Sequence, residues 1–331
     1  MNSLNNRPKI LLSIVTWNHA NSIQATIDSV YKQTYSDFKL VVFDNNSSDN
    51  TVGVLRSYES QPNFELIENT QNIGFCGGHN HVIKNHDFDF IILVNPDIIL
   101  KDDYLEKTLK AFEIDPEIGA VCGLLVQSFD SDPIIDSSGM SLTKSRRFIL
   151  KNHGRHLNSV RLQSGYVAGL DGALPAFKRE AVKSLLINEE FFNPMFFSHK
   201  EDWDISWRLI LFGWKVYFNK ESIATHPRFF KQNQIKLRKN IDPNIKYHGF
   251  KNQFLLLIIN EDRTNFSKDF VTIVSRILLT TVFCLFFERK SLKAYSYIMS
   301  NKNKILALRK KVQESKKIQP NNFRQYILSS S

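Results

Sequence analysis

The sequence predicts an α/β protein with a mixed, mostly parallel sheet flanked by helices and followed by a basic helical extension. Apolar strand-like segments alternate with amphipathic segments over the first 126 residues, which is the order of a parallel sheet. The composition, 42% hydrophobic with 26 Phe, can build a large core and excludes a mainly disordered chain. The last third is strongly basic and holds two long apolar runs, which predicts helices of a different character.

The first 126 residues predict five strands separated by four helices. The strands are expected at 9–16, 38–43, 64–69, 88–100 and 118–126, and Asn-Pro-Asp interrupts the fourth of them. The helices are expected at 20–32, from Thr51 onward, at the Gly-rich segment 72–84, and at 102–112. This region, about 1–126, is the first half of the predicted sheet domain.

A second half, about 127–227, follows with a less regular pattern. Residues 127–165 are polar and part of this stretch is expected to be a loop. Segment 165–185 predicts a strand, a turn and a helix, and 201–213 predicts an amphipathic helix ended by Gly213. Segment 214–226 predicts two short strands joined by a turn at Asn219–Lys220.

Charge separates residues 1–227 from a C-terminal extension at 228–331. The first part has 22 Lys and Arg against 27 Asp and Glu, a net charge of −5, whereas the second has 21 against 6, a net charge of +15. Such asymmetry indicates an anionic partner, either nucleic acid or a phospholipid surface. The basic residues are interleaved with long apolar runs, which favours a membrane surface and no nucleic acid.

The apolar run 270–287 is short for a helix that spans a bilayer, which needs about 20 residues. An interfacial helix therefore fits it better, and the alternative is that these helices pack on the sheet domain. Three widely spaced cysteines without a CxxC motif suggest a reducing compartment, and MNSLNNRPKI lacks the apolar stretch of a signal peptide. The expected location is cytoplasmic, on the inner face of the cell membrane.

Polar residues that follow the predicted strands mark a candidate site. Thr16, Asp44 and Asp97 each come just after a strand, so they should face one crevice at the carboxyl edge of the sheet. Asp44 has an alternative role as a turn residue. Gly74 lies in a Gly-rich segment between Asn72 and Asn80, where a backbone could approach a ligand closely, although neither G-x-G-x-x-G nor a Walker A pattern occurs.

Acidic residues supply the candidate chemistry. Asp97, after a strongly apolar strand, suits Mg²⁺ or Mn²⁺ bound to a diphosphate, and the alternative is a plain strand-end turn. Glu201 and Asp202 begin a helix, where a carboxylate could deprotonate an acceptor hydroxyl or could simply favour the helix dipole. His226 becomes a candidate metal ligand beside Asp97, although a single His is usually structural.

Seven segments, in order, carry a resemblance: SIVTWNHANSIQATIDSV, VVFDNNSSDNT, NTQNIGFCGGHN, LVNPDI, LDGALPAFKREAV, FFNPMFFSHKEDWDISWRLILFGWKV and ATH. Over residues 9–227 the chain resembles glycosyltransferase family 2, and most of all its bacterial rhamnosyltransferase-like branch. The resemblance implies a GT-A fold with a nucleotide-binding half at about 1–126 and an acceptor half at about 127–227. It also implies an inverting transfer from a nucleotide-diphosphate sugar with Mg²⁺ or Mn²⁺. The implied acceptor is a hydroxyl of a growing, lipid-linked surface glycan.

The resemblance also assigns roles by matching position. Asp202 is the implied catalytic base, and Asp97 and His226 are the implied metal ligands. Asn95 stands where the first acid of an Asp-x-Asp motif is usual. The remaining positions implied to bind the donor are Thr16, Asp44, Asn72, Gly74, Asn80, Asn95, Gly172, Ala173 and Glu201.

Two alternatives stay open at this point. Because an amide at Asn95 brings less charge to a cation than a carboxylate would, the chain could bind nucleotide sugars with impaired catalysis. The basic C-terminal third is also compatible with a nucleic-acid-binding protein. The sequence does not name the donor sugar, the acceptor, the linkage or the oligomeric state.

Overall fold

A ten-stranded mixed sheet organises the chain in this computed structural model, which describes residues 8–227 and 241–327. The strand order is β10-β12-β6-β11-β4-β1-β2-β3, with β5 paired to β12 and β7 paired to β6. Six of the ten strands, β1 to β4, β6 and β12, run in one direction, and the other four run against them. The predicted fold class, a mixed and mostly parallel sheet with a helical C-terminal region, is confirmed.

The strands of the described chain follow one another as predicted up to β6. Their bounds are β1 Ile10–Thr16, β2 Phe38–Asp44, β3 Phe64–Glu68, β4 Phe90–Val94, β5 Ile99–Leu100, β6 Ile118–Val126, β7 Ile135–Ser137, β8 Met140–Leu142, β9 Phe148–Leu150, β10 Gly165–Val167, β11 Pro175–Lys178 and β12 Lys215–Thr225. Strands β8 and β9 form a separate hairpin.

The helices lie between the strands and then follow one another at the C-terminal end. Their bounds are α1 Ile23–Tyr31, α2 Thr51–Arg56, α3 Gly74–Asn85, α4 Tyr104–Phe112, α5 Arg179–Leu185, α6 Glu201–Leu211, α7 Pro243–Asn260, α8 Arg263–Lys268, α9 Phe270–Phe287, α10 Lys293–Ser300, α11 Lys302–Glu314 and α12 Pro320–Phe323. Short 3₁₀ turns lie at Leu157–Ser159, Arg289–Leu292 and Arg324–Tyr326.

Both faces of the sheet are covered by apolar side chains. Successive residues of a strand point to opposite faces, and in β1 Leu12 and Ile14 pack with helices α1, α2 and α4. Leu11 and Val15 of the same strand belong to the other core, together with residues of α3, α5 and α6. Burial on both sides explains why these strands read as continuous apolar runs in the sequence.

Two predicted strands differ from those observed. The segment 88–100 is two strands, because β4 ends at Val94 and β5 turns to run antiparallel to β12. The segment 214–226 is one strand with a bulge between Asn219 and Ile223, not two strands and a turn. The bulge places the Ser222 carbonyl oxygen 2.2 Å from where a Cβ on Gly123 would lie, so only glycine fits there.

The region 127–165 contains more structure than the predicted loop. Strand β7 pairs with the end of β6, and the β8–β9 hairpin covers residues of α6, with Phe148 5.8 Å from Trp203 between ring centroids. The sequence signal is weak because each of these strands has only three residues.

The C-terminal helices divide into buried and exposed elements. Leu255 and Ile259 of α7 and Val312 of α11 lie in the same apolar core as the sheet, which is the packing alternative left open by the sequence. By contrast, α9 buries only Ile273 and Cys284 of its 18 residues. Among the described residues, α9 is the one helix long and apolar enough to cross a membrane, with a mean hydropathy of 2.2.

Candidate active site

The ends of β1 and β2 bring Thr16 and Asp44 side by side. They are register partners in the parallel pair, and both are buried at the carboxyl edge of the sheet. Asp44 accepts hydrogen bonds from the backbone N–H of Ser47 at 2.9 Å and from its hydroxyl at 2.5 Å. Asp44 therefore makes the turn named as its alternative role, and a nucleoside contact by Thr16 or Asp44 stays a prediction.

The Gly-rich segment is hydrogen-bonded to Asn45, the residue after Asp44. The Asn45 amide donates to the Gly74 carbonyl at 3.0 Å and accepts from the Ile73 N–H at 3.0 Å. Gly74 has a φ of +77°, and a Cβ there would lie 2.6 Å from the carbonyl oxygen of Phe197. The Asn72 side chain accepts from the Gly74 N–H at 2.9 Å, which fixes the same turn.

Asn80 lies farther along α3 and pairs with another backbone. Its amide donates to the Phe192 carbonyl at 2.7 Å and accepts from the Phe192 N–H at 2.8 Å. This pair holds the segment before α6 against α3, so Asn80 has a structural role in addition to the predicted donor contact. Asn45 has a comparable structural role, and sequence reasoning missed it because its partners lie 28 and 29 positions away.

The Asn-Pro-Asp turn meets the loop before β11. The Asn95 N–H donates to the Ala173 carbonyl at 2.9 Å, and the Ala173 N–H donates to the Asp171 carboxylate at 2.9 Å. The Gly172 N–H lies 3.3 Å from the Asp202 carboxylate, and a Cβ on Gly172 would lie 3.1 Å from the Asp202 Cβ. Glycine at 172 thus permits the close approach of loop and helix, and the structure brings these predicted residues together.

The segment that leads into α6 has an unusual backbone. Phe197, His199 and Lys200 all have positive φ, near +65°, which is costly for residues other than glycine. Asn252 of α7 holds this segment, because its amide lies within 3.1 Å of the carbonyl oxygens of Phe196, Ser198 and His199. The strained turn therefore depends on α7, a contact across more than 50 residues that the sequence does not indicate.

Helix α6 is anchored from its buried side as well. An i,i+4 ion pair lies within the helix, since the Arg208 Nε donates to Asp204 at 2.9 Å. The second oxygen of Asp204 accepts from Asn260 of α7 at 2.7 Å. This leaves Glu201 and Asp202, at the start of α6, as the acids that line the cavity described below.

Glu201 and Asp202 differ in their surroundings. Burial, followed by the charge of Asp202, raises the pKa of the Glu201 carboxyl. Its buried Oε2 atom has no hydrogen-bond partner within the described chain. A protonated carboxyl at Glu201 would add no negative charge beside Asp202.

His226 follows β12 and points its two ring nitrogens at two carboxylates. Nδ1 lies 2.8 Å from Asp136 and Nε2 lies 3.7 Å from Asp97. Burial opposes protonation, but the hydrogen bond to Asp136 and the charges of Asp171, Asp136 and Asp97 outweigh it and raise the pKa of His226. Asp136, on β7, is a site residue that sequence analysis missed because it lies in the expected loop.

This arrangement fits a divalent cation between Asp97 and His226. With Nδ1–H donated to Asp136, the Nε2 lone pair faces Asp97, which is the usual orientation of a metal-binding His supported by a second carboxylate. Within residues 8–227 and 241–327, however, no group of three or more His, Cys, Asp or Glu is arranged as a metal site. The described residues thus offer two candidate ligands, Asp97 and His226, and substrate phosphates are the usual source of the others for Mg²⁺.

A cavity of about 640 Å³ is lined by only part of the predicted site. The predicted site residues that do not line it are Thr16, Asp44, Asn72, Gly74, Asn80 and Asp97. Its wall contains Asp202, His226 and the Gly172–Ala173 loop, together with aromatic residues from four elements, α3, β9, α6 and α7. The full wall consists of Phe75, Asn95, Met140, Arg147, Phe148, Leu150, Asp171, Gly172, Ala173, Ser198, His199, Lys200, Glu201, Asp202, Trp203, His226, Ile241, Ile245, Lys246, Gly249, Phe250, Gln253, Arg276 and Thr280. A cavity of this size can hold a small organic substrate.

The mixed, mostly parallel sheet with flanking helices is a GT-A fold, and it carries an acidic pair beside a His–carboxylate pair. The family model for glycosyl transferase family 2 matches residues 12–186, and the chain belongs to that family.

Curated relatives are similar over about two thirds of the chain. Poly-beta-1,6-N-acetyl-D-glucosamine synthase of Staphylococcus epidermidis is 20% identical over 211 residues, which cover 64% of this chain and 48% of the relative. The enzyme of the same name from Staphylococcus aureus is 22% identical over 224 residues, 65% of this chain and 51% of the relative. The chain thus spans about half the length of these relatives.

Solved structures share the fold at low identity. A mannosyltransferase from Pyrobaculum calidifontis, in complex with GDP-Man and Mn²⁺, has a TM-score of 0.54 at 16% identity and covers 93% of this chain and 84% of its own. TarS from S. aureus has a TM-score of 0.58 at 14% identity, with 93% and 52% covered. A shorter form of TarS in complex with UDP-GlcNAc has a TM-score of 0.53 at 14% identity, with 96% and 84% covered.

Proposed function

We propose that this chain is an inverting glycosyltransferase that moves a sugar from a nucleotide-diphosphate donor to a hydroxyl of a lipid-linked surface glycan. The observation that carries the proposal is the position of Asp202. It begins α6 against the Gly172 N–H, in the same cavity as His226 and Asn95. Inverting transfer requires a base on one side of the anomeric carbon and a stabilised diphosphate leaving group on the other.

Asp202 is the residue proposed to take the proton of the acceptor hydroxyl. The neighbouring Glu201, protonated through its raised pKa, would add no negative charge beside Asp202, and it contributes to the donor site. The Gly172–Ala173 loop, Thr16, Asp44, Asn72, Gly74 and Asn95 are proposed to surround the donor. No covalent nucleophile is needed for an inverting reaction.

Asp97 and His226 are proposed to hold Mg²⁺ or Mn²⁺ together with the donor diphosphate. The cation would supply charge stabilisation to the departing diphosphate. Asp136 orients the imidazole of His226 through its hydrogen bond. Asn95 brings an amide instead of a carboxylate near this cation. We therefore expect a weaker metal affinity than a site with two acids would have.

The extension at 228–331 is proposed to bring the enzyme to an anionic membrane surface, where a lipid-linked acceptor is found. Its net charge is +15, and α9 presents an exposed apolar face that includes Leu279 and Phe287. This combination describes a peripheral protein of the inner face of the cell membrane. The predicted division at about residue 227 is a change of charge and not of core, because α7 and α11 pack in the same apolar core as the sheet.

Replacement of the proposed base tests the proposal. Asp202→Asn keeps the shape but cannot accept a proton, so release of nucleoside diphosphate should fall by about 10²–10⁴. Donor affinity, measured by calorimetry with and without Mn²⁺, should stay close to that of the wild type. A panel with UDP-GlcNAc, GDP-Man and a nucleotide-activated rhamnose would identify the donor, because rhamnose is favoured only by the resemblance.

Asp37→Asn is the matched control, because Asp37 is exposed and lies before β2, away from the cavity. It should leave both turnover and donor affinity unchanged. Turnover by Asp202→Asn at the wild-type rate would exclude Asp202 as the base. Donor binding that does not respond to Mn²⁺ would exclude the proposed cation.

A further inference from the structure

The cavity that contains Asp202 has a second wall of a different kind. This wall comes from the β8–β9 hairpin, from the region where α7 begins and from α9, and it carries Arg147, Lys246 and Arg276 among apolar residues. The wall proposed to be catalytic, by contrast, carries Asp171, Glu201 and Asp202, and its one lysine, Lys200, donates to the Gly249 carbonyl at 2.6 Å. A single cavity thus has acids where a hydroxyl would react and cations on elements that lead to the exposed helix.

Arg147 and Arg276 lack carboxylate partners. Neither forms an ion pair within the described residues, and the buried Nε of Arg276 has no hydrogen-bond partner there. Burial, together with the nearby charge of Arg147, lowers the pKa of the Arg276 guanidinium to about 10, which leaves it protonated at neutral pH. Two neighbouring cations without a counter-charge favour the binding of an anion, and guanidinium groups match phosphate oxygens.

A buried ion cluster fixes the positions of both arginines. Arg146, next to Arg147, donates to Asp269 at 2.8 Å and also pairs with Glu261. Asp269 is the residue before α9 and accepts from Arg324 at 2.9 Å. Because Arg146 is fully buried, the hairpin and the start of α9 are held together, and the site is organised before any ligand binds.

Helix α9 joins this cation site to an apolar surface. Arg276 and Thr280, one turn apart, face the cavity, whereas Leu279 is 72% exposed and Phe287 is 74% exposed. A molecule with a phosphate at the arginines could therefore continue along the apolar side of α9. That combination of an anionic group and an apolar chain is the chemistry of a lipid phosphate.

We propose that Arg147 and Arg276 bind the phosphate of the acceptor, whose apolar chain lies along α9 at the membrane surface. This inference rests on the proposed transferase function and names the part of the acceptor that the enzyme recognises. The phosphate at these arginines would direct the sugar of the acceptor into the cavity toward Asp202. The donor diphosphate, in turn, belongs to the edge of the sheet that holds Asp97 and His226.

Calorimetry with soluble probes tests the site without need for the natural acceptor. Dodecyl phosphate, below its micelle concentration, should bind the full-length wild type, whereas dodecyl maltoside should not and inorganic phosphate should bind more weakly. Arg276→Gln and Arg147→Gln should each lower the affinity for dodecyl phosphate by about tenfold or more, as expected for loss of a charged hydrogen bond. Arg289→Gln, which removes the same charge just after α9, should change it less than twofold.

Three results would overturn the proposal. The first is unchanged dodecyl phosphate affinity in Arg147→Gln, an exposed position whose replacement should not affect folding. The second is an equal loss in Arg289→Gln, which would indicate only non-specific attraction. The third is an equal loss of UDP affinity in the two cavity variants, which would assign the arginines to the donor.

Vesicles distinguish an acceptor phosphate from a bulk lipid headgroup. On vesicles of equimolar phosphatidylcholine and phosphatidylglycerol, Arg147→Gln and Arg276→Gln should lower the affinity for the vesicles no more than Arg289→Gln does. A larger loss would place an ordinary headgroup at the site and contradict the proposal. These measurements need no turnover. A protein that shows neither turnover nor donor binding would therefore refute the proposed function, while the phosphate site is judged separately from dodecyl phosphate binding.

Discussion

The two longest helices of the C-terminal region, α7 and α9, have 18 residues each and opposite surroundings. Helix α7 buries eight residues, four of them polar or charged at the positions Lys251, Asn252, Gln253 and Asn260. Helix α9 is the more apolar of the two, yet it buries only two residues. The difference teaches that hydrophobicity does not decide which helix joins the catalytic domain.

The polar residues of α7 explain its burial. Asn252 serves three carbonyl groups of the strained turn before α6, and Asn260 serves Asp204 within α6. Buried polar groups are retained where they satisfy other polar groups, and here those groups hold the helix that carries the proposed base. Helix α7 therefore supports the proposed active site, whereas α9 is mostly exposed.

A chain ended after residue 240 is expected to show the largest effect, complete loss of cooperative folding. It lacks Leu255, Leu256 and Ile259, and each fully buried side chain of this type contributes about 1.5–3 kcal/mol. The sum is comparable with the whole stability of a typical domain, about 5–15 kcal/mol. Circular dichroism during heating should show no sharp transition, and a soluble fragment that melts cooperatively and binds donor would show that α7 is dispensable.

Much of the fold could be predicted because its signals are local. The apolar strands from β1 to β6 and the carboxyl-edge positions of Thr16 and Asp44 follow from alternating segments and from the residues directly after each strand. The position of Asp202 at the start of α6 follows in the same way from an acidic cluster before an amphipathic run. These features need no knowledge of distant contacts.

The missed features depend on contacts between distant parts of the chain. Asp136 reaches His226 across 90 positions, and Asn252 reaches the turn before α6 across 53 to 56 positions. No local pattern distinguishes such an Asp or Asn from any other polar residue. The difference in burial between α7 and α9 could likewise not be predicted from the sequence, because it depends on the groups that each helix contacts after folding.

A matched pair of leucine replacements compares the helices directly. Leu255→Ala in α7 should lower the free energy of unfolding by about 2–5 kcal/mol, because it leaves a cavity in the core. Leu279→Ala in α9, where the side chain is largely exposed, should change it by no more than about 0.5 kcal/mol. Urea denaturation measures both values, and equal losses would mean that α9 is covered in solution.

The apolar face of α9 should control attachment to membranes. The double variant Leu278→Asn, Leu279→Asn should reduce binding to equimolar phosphatidylcholine and phosphatidylglycerol vesicles by about tenfold or more, since burial of a leucine contributes about 1.5–3 kcal/mol. High salt should weaken wild-type binding only in part, because screening affects charges and not apolar contact.

Ile114→Asn is the control for this experiment. Ile114 is also an exposed apolar residue, but it follows α4 and lies outside the C-terminal helices. Its replacement should leave co-sedimentation with vesicles unchanged. Wild-type binding by the α9 double variant would reject α9 as the attachment surface, whatever the contribution of the basic residues.

The last prediction is a pH dependence of stability that belongs to α7. Lys251 is buried and donates to the Met195 carbonyl, and burial lowers its pKa from 10.5 to about 8. Between these two values the unfolded chain binds more protons than the folded one, so this residue makes stability rise with pH by about 1.4 kcal/mol per unit. Relative to Lys251→Met, the wild type should therefore gain stability as pH increases from 8 to 10.5.

Lys290→Met, an exposed change just after α9, should show no such trend in urea denaturation at the two pH values, because its ammonium group is solvated in both states. A constant difference in stability between wild type and Lys251→Met across this range would contradict the prediction. It would mean that the ammonium group of Lys251 reaches solvent and that α7 is less buried than in this structure.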